Sequence, residues 1–437
     1  MYERTMARQR MTERKRILIL FSDTGGGHRS AAEAIAEAME ASYPERYTLR
    51  FVDALREYAP RPLSSAPVLY PEVVRFPRAW ELGYRIFDGH LRAKALTIAF
   101  WPYVRSAAHR LVREQPADLI LSVHPLMNGP VLRALGRDRP PFLTVITDLV
   151  TTHALWFDAG VDLCLVPTEA ARAKAFAHGL SSEQVRVVGL PVARRFCGPL
   201  GDRVALRKRL GWPTDLPVVL LMGGGEGMGP LMETARAIAS GGQRLALAVV
   251  AGRNRSLRVR LEKVSWEIPT RIYGFERRLP EMMQAATLLV SKAGPGTICE
   301  AMNAGLPIVL NGRLPGQEDG NVRFVVEEEV GVWAPGPQMA AQAVQGLLAN
   351  ADAMERMARA CRRVARPRAA LEIAETIDSV LQARPANKNT RISYDRGGRR
   401  FRDEGSSEVR DDVAIQVHHS FAEERQEDDY GQSDQQN

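Results

Sequence analysis

Short runs of consecutive apolar residues recur along the chain, and the first of them is followed by a glycine-rich loop and a helical pattern. The run Ile17 to Phe21 is typical of a strand buried on both faces of a parallel sheet. Helix-forming residues extend from Ser30 to Ala41 after the loop. The same order returns at Val218 to Met222, with a helical pattern from Leu231 to Ala239. Both halves of the chain are therefore predicted to open with a strand, a glycine loop and a helix.

Further β-rich runs alternate with helical segments after each of these openings, as units of strand and helix do. These runs are Leu119 to Val123, Phe142 to Thr147, Leu163 to Pro167, Ala246 to Ala251, Thr287 to Ser291 and Pro307 to Leu310. A helical stretch from Met354 to Leu381, interrupted at Pro367, is a candidate to close the second half. The pattern predicts an α/β fold with two Rossmann-like, doubly wound domains at 17–195 and 196–383, with the linker within 189–201.

The two ends differ from this body in composition. Residues 1–16 carry six basic and two acidic side chains and no apolar segment of a secretory signal, so we expect a flexible leader. Residues 384–437 carry nine basic and twelve acidic side chains and few large apolar ones, so we expect a disordered tail. No apolar run approaches the roughly 18 residues that cross a bilayer. Any membrane contact is therefore expected to be peripheral.

The charge narrows the classes of ligand. Among the 437 residues, 59 are basic and 51 acidic, and only seven of the basic residues are Lys, which leaves 52 Arg. The guanidinium fork suits phosphate oxygens, so phosphate-bearing ligands, nucleic acid and anionic lipid are all candidates. The four cysteines are scattered without a C-x-x-C pair, which argues against a zinc site or a disulfide framework. We expect a cytoplasmic protein.

The two glycine loops are candidate phosphate sites, because a helix start presents free N–H groups to an anion. The first loop contains Gly26 and Gly27, and the second contains Gly224, Gly225 and Glu226. Neither has the spacing of a P-loop or of G-x-G-x-x-G, which disfavours NTP hydrolysis and a dinucleotide cofactor. The alternative is that these glycines only permit tight turns between strand and helix.

Polar side chains follow the strands of the first half. His28 ends the first glycine loop, where an imidazole can take a proton from an attacking hydroxyl, although a structural hydrogen bond to the loop is the plainer alternative. His124 also follows a strand directly. Asp148 ends another strand, with His153 and Trp156 close behind, and either orients His28 or caps the next segment.

In the second half, polar groups cluster after two strands. The segment from Ser291 to Pro307 places a Gly-Pro-Gly loop before a helix and Glu300 one turn inside it. The segment from Leu314 to Asn321 is rich in groups that hydrogen-bond vicinal hydroxyls. Such a pair of loops suits a nucleotide ribose and a sugar, and an ordinary polar loop is the alternative.

Basic and aromatic side chains interleave in residues 75–113, which hold eight Arg or Lys against two acids, Glu81 and Asp88. This composition suits a lipid headgroup interface. The other interpretation is a core helix with aromatic residues inward and arginines in water. We predict docking on anionic lipid, with the side chains of Arg85, Arg92, Trp101 and Arg105 at the interface.

An ordered set of motifs resembles the monogalactosyldiacylglycerol synthase family over about residues 15–380. This family belongs to the same superfamily as the bacterial enzyme that adds N-acetylglucosamine to the peptidoglycan lipid precursor. The motifs are Thr24-Gly-Gly-Gly-His28-Arg29, Ser122-Val-His-Pro-Leu-Met127, Thr147-Asp148 with Trp156, Gly223-Gly-Gly-Glu-Gly-Met228, Gly274-Phe275, Lys292-Ala-Gly-Pro-Gly-Thr297, Glu300-Ala301 and Pro315-Gly-Gln-Glu-Asp-Gly-Asn321. The first loop ends in His-Arg-Ser rather than the His-x-x-Pro of the peptidoglycan enzyme, which favours the diacylglycerol branch.

The resemblance implies a GT-B architecture, in which two Rossmann-like domains face a cleft. The carboxyl-terminal domain would hold the UDP-sugar and the amino-terminal domain the lipid acceptor. The resemblance assigns Glu300 to the ribose, Phe275 to the uracil-binding segment, and His28 with Asp148 to catalysis. It assigns the loops that face the diphosphate and the sugar to Gly224, Gly225, Glu226, Lys292, Gly294, Gly296, Thr297, Gln317, Glu318 and Asn321. Gly26, Gly27, His124, His153 and Trp156 lie on the acceptor side.

The expected reaction is an inverting transfer of galactose from UDP-galactose to 1,2-diacylglycerol, on the inner face of the cell membrane. The chain contains no Asp-x-Asp, so we expect no metal in the transfer step and no cofactor, with the leaving UDP stabilised by helix starts and backbone N–H groups. The alternatives are a UDP-glucose donor, a UDP-N-acetylglucosamine transferase on a polyprenyl lipid, a catalytically idle lipid-binding relative and a nucleic-acid-binding protein. No RNP, KH or helix-turn-helix pattern appears, so nucleic acid is not expected as a partner.

Overall fold

Two six-stranded parallel sheets form the body of the protein. The computed structural model describes residues 14–24, 26–73, 76–199, 201–383, 392–394 and 400–402. The described residues up to 383 belong to one compact unit. In the other unit, the described residues form two antiparallel strands, β13 (Ile392–Tyr394) and β14 (Arg400–Arg402). Most of the predicted flexible leader and most of the predicted disordered tail lie outside the described residues.

The first sheet has the strand order β2-β1-β3-β4-β5-β6. Its strands are β1 (Lys15–Phe21), β2 (Tyr47–Asp53), β3 (Leu119–Ser122), β4 (Phe142–Val145), β5 (Leu163–Val166) and β6 (Val185–Val187). The helices that accompany it are α1 (Gly27–Ser42), α2 (Ala54–Tyr58), α3 (Ala66–Val73), α4 (Pro77–Phe87), α5 (His90–Glu114), α6 (Asn128–Leu135) and α7 (Glu169–Ala177). The strand order reverses between β1 and β3, and ligands of open α/β sheets bind at such a switch point.

The second sheet has the order β12-β11-β10-β7-β8-β9, with its switch point between β7 and β10. Its strands are β7 (Val218–Met222), β8 (Ala246–Val250), β9 (Thr270–Tyr273), β10 (Leu288–Lys292), β11 (Ile308–Gly312) and β12 (Gly331–Trp333). The helices of this half are α8 (Arg203–Leu210), α9 (Leu231–Ala239), α10 (Arg255–Glu262), α11 (Leu279–Ala285), α12 (Pro295–Asn303), α13 (Asp319–Glu327), α14 (Gly336–Leu348), α15 (Ala351–Val364) and α16 (Ala369–Ala383).

The eight strands predicted from apolar runs are the central strands of the two sheets. The structure confirms all eight, with ends shifted by up to two residues. Within the two six-stranded sheets, the four strands that the pattern did not reveal are β2, β6, β9 and β12, and these are the four edge strands. Each edge strand contains partly or fully exposed positions, as in Tyr47–Asp53. An edge strand is solvated on one side, so it lacks the continuous apolar run of a central strand.

The helical stretch expected to close the second half is interrupted as predicted at Pro367, between α15 and α16. Helix α15 contacts α12 and α14 of the second half. Helix α16 instead packs on the first sheet, where Ile373 and Ile377 share a buried cluster with Ile17 and Leu119. The chain therefore ends its described body on the domain in which it began. The boundary predicted at 195/196 stays a prediction.

None of the helices in the described part of the chain combines the length and the apolar character that crossing a bilayer requires.

Candidate active site

The loops marked by sequence lie in pairs at the two switch points. In the first sheet, the glycine loop after β1 lies beside the segment after β3 that contains His124, because β1 and β3 are neighbours. In the second sheet, the glycine loop after β7 lies beside Lys292 at the end of β10. Each pair occupies the carboxyl edge of its sheet, where open α/β sheets hold ligands.

The His28 imidazole is held in one tautomer. Gly26, in the left-handed conformation with φ 78°, precedes α1, so His28 lies on the first turn. Its Nδ1 lies 2.8 Å from the Val123 carbonyl oxygen and 2.9 Å from the Thr147 hydroxyl oxygen. A carbonyl oxygen can only accept, so Nδ1 carries the hydrogen and Nε2 keeps a free lone pair. Burial lowers the pKa of His28 to about 4, so the ring is neutral near pH 7.

His124 packs against His28, with ring centroids 4.6 Å apart, and has the opposite tautomer. Its Nδ1 accepts a hydrogen bond from the Leu126 backbone N–H at 3.3 Å. The hydrogen is therefore on Nε2, which donates to the Thr24 hydroxyl at 3.1 Å. Burial, with a smaller effect from His28, holds the pKa of His124 well below its usual value. Both nitrogens of His124 are engaged, which leaves His28 as the available base of the pair.

The buried Asp148 carboxylate joins the two halves of the chain. One oxygen accepts a hydrogen bond from the Trp156 indole N–H at 2.6 Å, and the other accepts from the Gln317 side-chain amide at 3.3 Å. Burial raises the pKa of Asp148. The Trp156 ring lies 5.9 Å from the His28 ring. His28 is oriented by Val123 and Thr147 in the described structure, rather than by Asp148 as the sequence allowed.

Lys292 lies between the two glycine-rich loops of the second half. Its side chain lies beside Gly224 on one side and Gly294 on the other, within 4 Å of where a Cβ would stand at either position. The ammonium pairs with the buried Glu318 carboxylate, whose other oxygen accepts from the Leu314 backbone N–H at 2.7 Å. Helix α12 begins at the same place. A cation beside a helix start suits a diphosphate.

Glu300 lies on the half-buried face of α12, one turn from its start. Burial raises the pKa of this carboxyl to about 8, and the nearby Arg195 opposes that shift. Among the residues that the structure describes, no group donates a hydrogen bond to Glu300. A desolvated carboxylate without donors is suited to accept the two hydroxyls of a ribose.

An aromatic platform lies next to the second glycine loop. Phe275 is 59% exposed, and the Arg253 guanidinium stacks over its ring at 4.5 Å. Arg253 also forms an ion pair with Glu226 at 2.8 Å. Exposed aromatic faces that pair with a cation can stack on a nucleobase.

The polar loop 314–321 docks on the segment after β4. The Gly320 backbone N–H donates to the Thr151 hydroxyl at 2.7 Å, and Gly316, with φ 82°, packs against the Tyr84 ring. The side-chain oxygens of Gln317 and Asn321 are buried and have no hydrogen-bond partner among the described residues. This loop therefore joins the carboxyl edges of the two sheets, and it contains two buried acceptors without a partner among the described residues.

Comparisons with known proteins match this arrangement. Residues 28–192 match the family described as monogalactosyldiacylglycerol (MGDG) synthase, and residues 218–329 match the glycosyltransferase family 28 C-terminal domain. The probable monogalactosyldiacylglycerol synthase 2, chloroplastic, of Oryza sativa subsp. japonica is 39% identical over 396 residues, which cover 87% of this chain and 83% of that protein. The chain belongs to the monogalactosyldiacylglycerol synthase family. Monogalactosyldiacylglycerol synthase 1, chloroplastic, of Arabidopsis thaliana is 38% identical over 386 residues, or 84% of this chain and 71% of that one.

Solved structures support the architecture expected of a monogalactosyldiacylglycerol synthase. Acinetobacter baumannii MurG superposes with a TM-score of 0.53 at 15% identity and covers 84% of this chain and 99% of its own. CalG4, the calicheamicin glycosyltransferase, gives a TM-score of 0.54 at 15% identity, and the match covers 86% of this chain and 100% of CalG4. At this identity the likeness concerns the fold alone. The predicted GT-B architecture is confirmed.

Several of the site residues predicted from the family resemblance contact one another: His28 packs beside His124 and Trp156, Gln317 donates to Asp148, and Lys292 pairs with Glu318. Glu318 and Asn321 already have partners within the protein. Glu318 forms an ion pair with Lys292, and the Asn321 side-chain amide donates to the Ala293 carbonyl at 2.9 Å. The Asn321 side-chain oxygen has no hydrogen-bond partner among the described residues. His153 accepts a hydrogen bond from the Leu155 backbone N–H at 3.1 Å, beside the acceptor side of the cleft.

The predicted lipid-facing residues lie on α4 and α5, in the same half as His28. Arg85, Arg92 and Arg105 are exposed, and Trp101 is partly buried under the Arg133 guanidinium, 4.6 Å from its ring. The sequence analysis assigned no site role to several residues that shape the site: Val123, Thr147, Thr151, Tyr84, Arg195 and Arg253. Val123, Thr147 and Arg253 each lie within three residues of a strand end, which is the positional signal that could have found them.

Proposed function

We propose that this monogalactosyldiacylglycerol synthase family member transfers galactose from UDP-galactose to the free hydroxyl of 1,2-diacylglycerol, and that His28 is the base. The observation that carries the proposal is the fixed tautomer of His28. Its Nδ1 is occupied by the Val123 carbonyl, so Nε2 is the atom that can accept a proton in the cleft.

The transfer is a single displacement. The acceptor oxygen attacks the anomeric carbon, its proton passes to His28 Nε2, and the bond from that carbon to the diphosphate breaks with its electron pair leaving on UDP. Lys292 and the start of α12 stabilise the charge that develops on the diphosphate. Glu300 holds the ribose and Phe275 the uracil. The side-chain oxygens of Gln317 and Asn321 accept from sugar hydroxyls. One attack from the opposite face inverts the anomeric centre.

The acceptor is a bilayer lipid, and the protein presents a surface suited to a bilayer. Helices α3 to α5 and the residue before α4 expose eleven large apolar side chains, which we call the α3–α5 surface. Its members are Val68, Leu69, Val73, Phe76, Leu82, Ile86, Phe87, Leu91, Ile98, Phe100 and Tyr103. Apolar patches of this kind on a protein surface mark interaction sites. The exposed Arg85, Arg92 and Arg105 match anionic headgroups, so the protein would associate peripherally with a membrane.

A donor assay tests the reaction. Purified protein is incubated with diacylglycerol vesicles and either labelled UDP-galactose or labelled UDP-glucose, and the glycolipid is separated by thin-layer chromatography and its sugar and anomeric configuration are determined. We expect a β-galactolipid. If the main product is a glucolipid, the donor is UDP-glucose rather than UDP-galactose. If neither donor yields a glycolipid, the proposal is contradicted.

Co-sedimentation with vesicles tests the surface. The wild-type protein should bind more strongly as the anionic lipid content increases, and a variant with Arg85, Arg92 and Arg105 replaced by Glu should lose that dependence. Replacing the exposed Arg255, Arg260 and Arg356 of the second half by Glu makes the same charge change elsewhere and serves as the control.

A further inference from the structure

Helix α4 connects the α3–α5 surface to the segment that carries Asp148. The Tyr84 hydroxyl donates to the Thr151 carbonyl at 2.9 Å, and its ring contacts the His153 ring edge-on at 4.9 Å. Burial raises the pKa of Tyr84, so the hydroxyl keeps its proton as a donor. The helix is therefore attached to the residues between Asp148 and Trp156.

A second attachment lies at the end of the same helix. Asp88 directly follows α4, and one of its carboxylate oxygens accepts from the Ala154 backbone N–H at 2.9 Å. The other lies 3.3 Å from the Lys174 ammonium, on α7. Asp88 thus fixes the end of α4 both to the active-site segment and to the body of the first domain.

Tyr84 also touches the donor side of the cleft. Its ring packs against Gly316, the residue before Gln317, and a Cβ at Gly316 would lie 3.2 Å from the ring. Gln317 in turn donates to Asp148. The Tyr84 ring therefore lies against one residue of each half, His153 in the first and Gly316 in the second.

The opposite side of α4 faces solvent. Leu82 is 62% exposed and Ile86 49%, and positions 82 and 86 share one face of a helix, as positions 84 and 88 share another. Apolar side chains left in water add nothing to the attachment of the helix. Elements with few buried apolar contacts open locally at low cost in free energy. In the attached arrangement Tyr84 and Asp88 bond the segment after Asp148, and in the open one these bonds are broken. Burial of Leu82 and Ile86 in a bilayer would favour the attached arrangement.

We propose that α4 couples membrane binding to catalysis, with Tyr84 and Asp88 as positioning residues that place Asp148 and Gln317 when the α3–α5 surface meets the bilayer. This inference rests on the proposed function, because it concerns the use of a lipid acceptor. It goes beyond that function by assigning a transmitting role to residues that need not touch either substrate.

The test compares two acceptors, a short-chain diacylglycerol in solution and a long-chain diacylglycerol in anionic vesicles. Wild-type kcat should be higher on vesicles, by about tenfold if the coupling is of ordinary size. Tyr84→Phe removes the hydrogen bond to Thr151 and keeps the ring, and it should bring the ratio of the two kcat values close to one. Vesicle binding and the KM for UDP-galactose should stay unchanged. A purely structural defect would lower both kcat values and preserve their ratio.

Tyr47→Phe is the matched control, because it also deletes a tyrosine hydroxyl that donates within the first domain, here to Asp378, away from the cleft. Hydrogen exchange provides a readout without turnover. Vesicles should protect the amides of residues 149–156 in the wild type and in Tyr47→Phe, but not in Tyr84→Phe.

A Tyr84→Phe protein that keeps both the kcat ratio and the protection would overturn the coupling, as would a wild type that vesicles do not stimulate. Failure of the proposed function has a different signature, since the wild type would then form no galactolipid from either acceptor while the exchange experiment still reported on α4.

Discussion

The buried Asp148 carboxylate of the first domain accepts a hydrogen bond from the Gln317 amide of the second at 3.3 Å. This bond links the acceptor side of the cleft to the loop that carries the unsatisfied oxygens of Gln317 and Asn321. Because Asp148 is desolvated, a second negative charge beside it would be strongly unfavourable.

Gln317→Glu should therefore hold the two loops apart at neutral pH. We expect kcat to fall at least about tenfold. UDP itself should bind as in the wild type, because Lys292 and Glu300, which are proposed to hold the diphosphate and the ribose, are unchanged. Initial rates and UDP titrations measure the two effects. Gln243→Glu is the control, since the Gln243 amide donates to the Gln345 carbonyl at 3.0 Å, outside the cleft. Unchanged turnover in Gln317→Glu would argue against closure through this pair.

Loss of the base should separate binding from chemistry. His28→Ala should lower kcat about 10²- to 10⁴-fold, the usual contribution of a general base, and leave UDP affinity near the wild-type value. His178→Ala is the comparison, because its Nδ1 also bonds a backbone carbonyl, that of Lys174 at 2.7 Å, at the end of α7. Calorimetry measures the UDP affinity of both variants, and galactolipid assays measure their kcat. Normal turnover in His28→Ala would remove the imidazole from the mechanism.

Binding of UDP should release a proton through Glu300. Burial raises the pKa of this carboxyl to about 8 in the free protein, so it is largely protonated at pH 7. Ribose hydroxyls that donate to the carboxylate stabilise the ionised form and lower its pKa. Affinity for UDP should thus rise with pH up to about 8 and then level off.

The proton release is measured at pH 7 by titrating UDP in buffers of different ionisation enthalpy. The observed binding enthalpy should depend on the buffer for the wild type and lose most of that dependence in Glu300→Gln, which should bind UDP about tenfold more weakly. Glu281→Gln, on α11, makes the same change at a partly exposed carboxylate that pairs with Arg209, 3.7 Å away. Identical buffer dependence in wild type and Glu300→Gln would show that another group releases the proton.

The close approach of Gly320 to the first domain can be blocked with one methyl group. A Cβ at position 320 would lie 2.4 Å from the Thr151 hydroxyl oxygen and 2.7 Å from a Val150 methyl carbon. Gly320→Ala should force the loops apart, with an overpacking cost of about 1–3 kcal/mol and a corresponding drop of roughly tenfold in kcat.

Gly346→Ala is the reference for that substitution, because nothing lies within 4 Å of a Cβ built there, inside α14. It should keep wild-type turnover and unfold at the same temperature or slightly higher, as a helix gains from alanine. Thermal unfolding and initial rates of both variants separate a local clash from a global loss of stability.

The sequence by itself determined the eight central strands, because a strand buried on both faces needs a continuous apolar run that is visible without any partner. It also determined that the candidate site residues follow strands, which places them at the carboxyl edges of the sheets. The family motifs then identified the cleft. These are local signals; the structure confirms the strands, and the similarity to known sequences shows the family.

The tertiary structure alone decided which side chains act on one another. The carbonyl that fixes the tautomer of His28 comes from Val123, 95 residues away, and the amide on Asp148 comes from Gln317, 169 residues away. The edge strands, the return of α16 to the first sheet and the contact of Tyr84 with both halves depend on how the sheets are ordered and how the domains meet. Periodicity records burial along one segment, and it contains no information about which distant segment provides the partner.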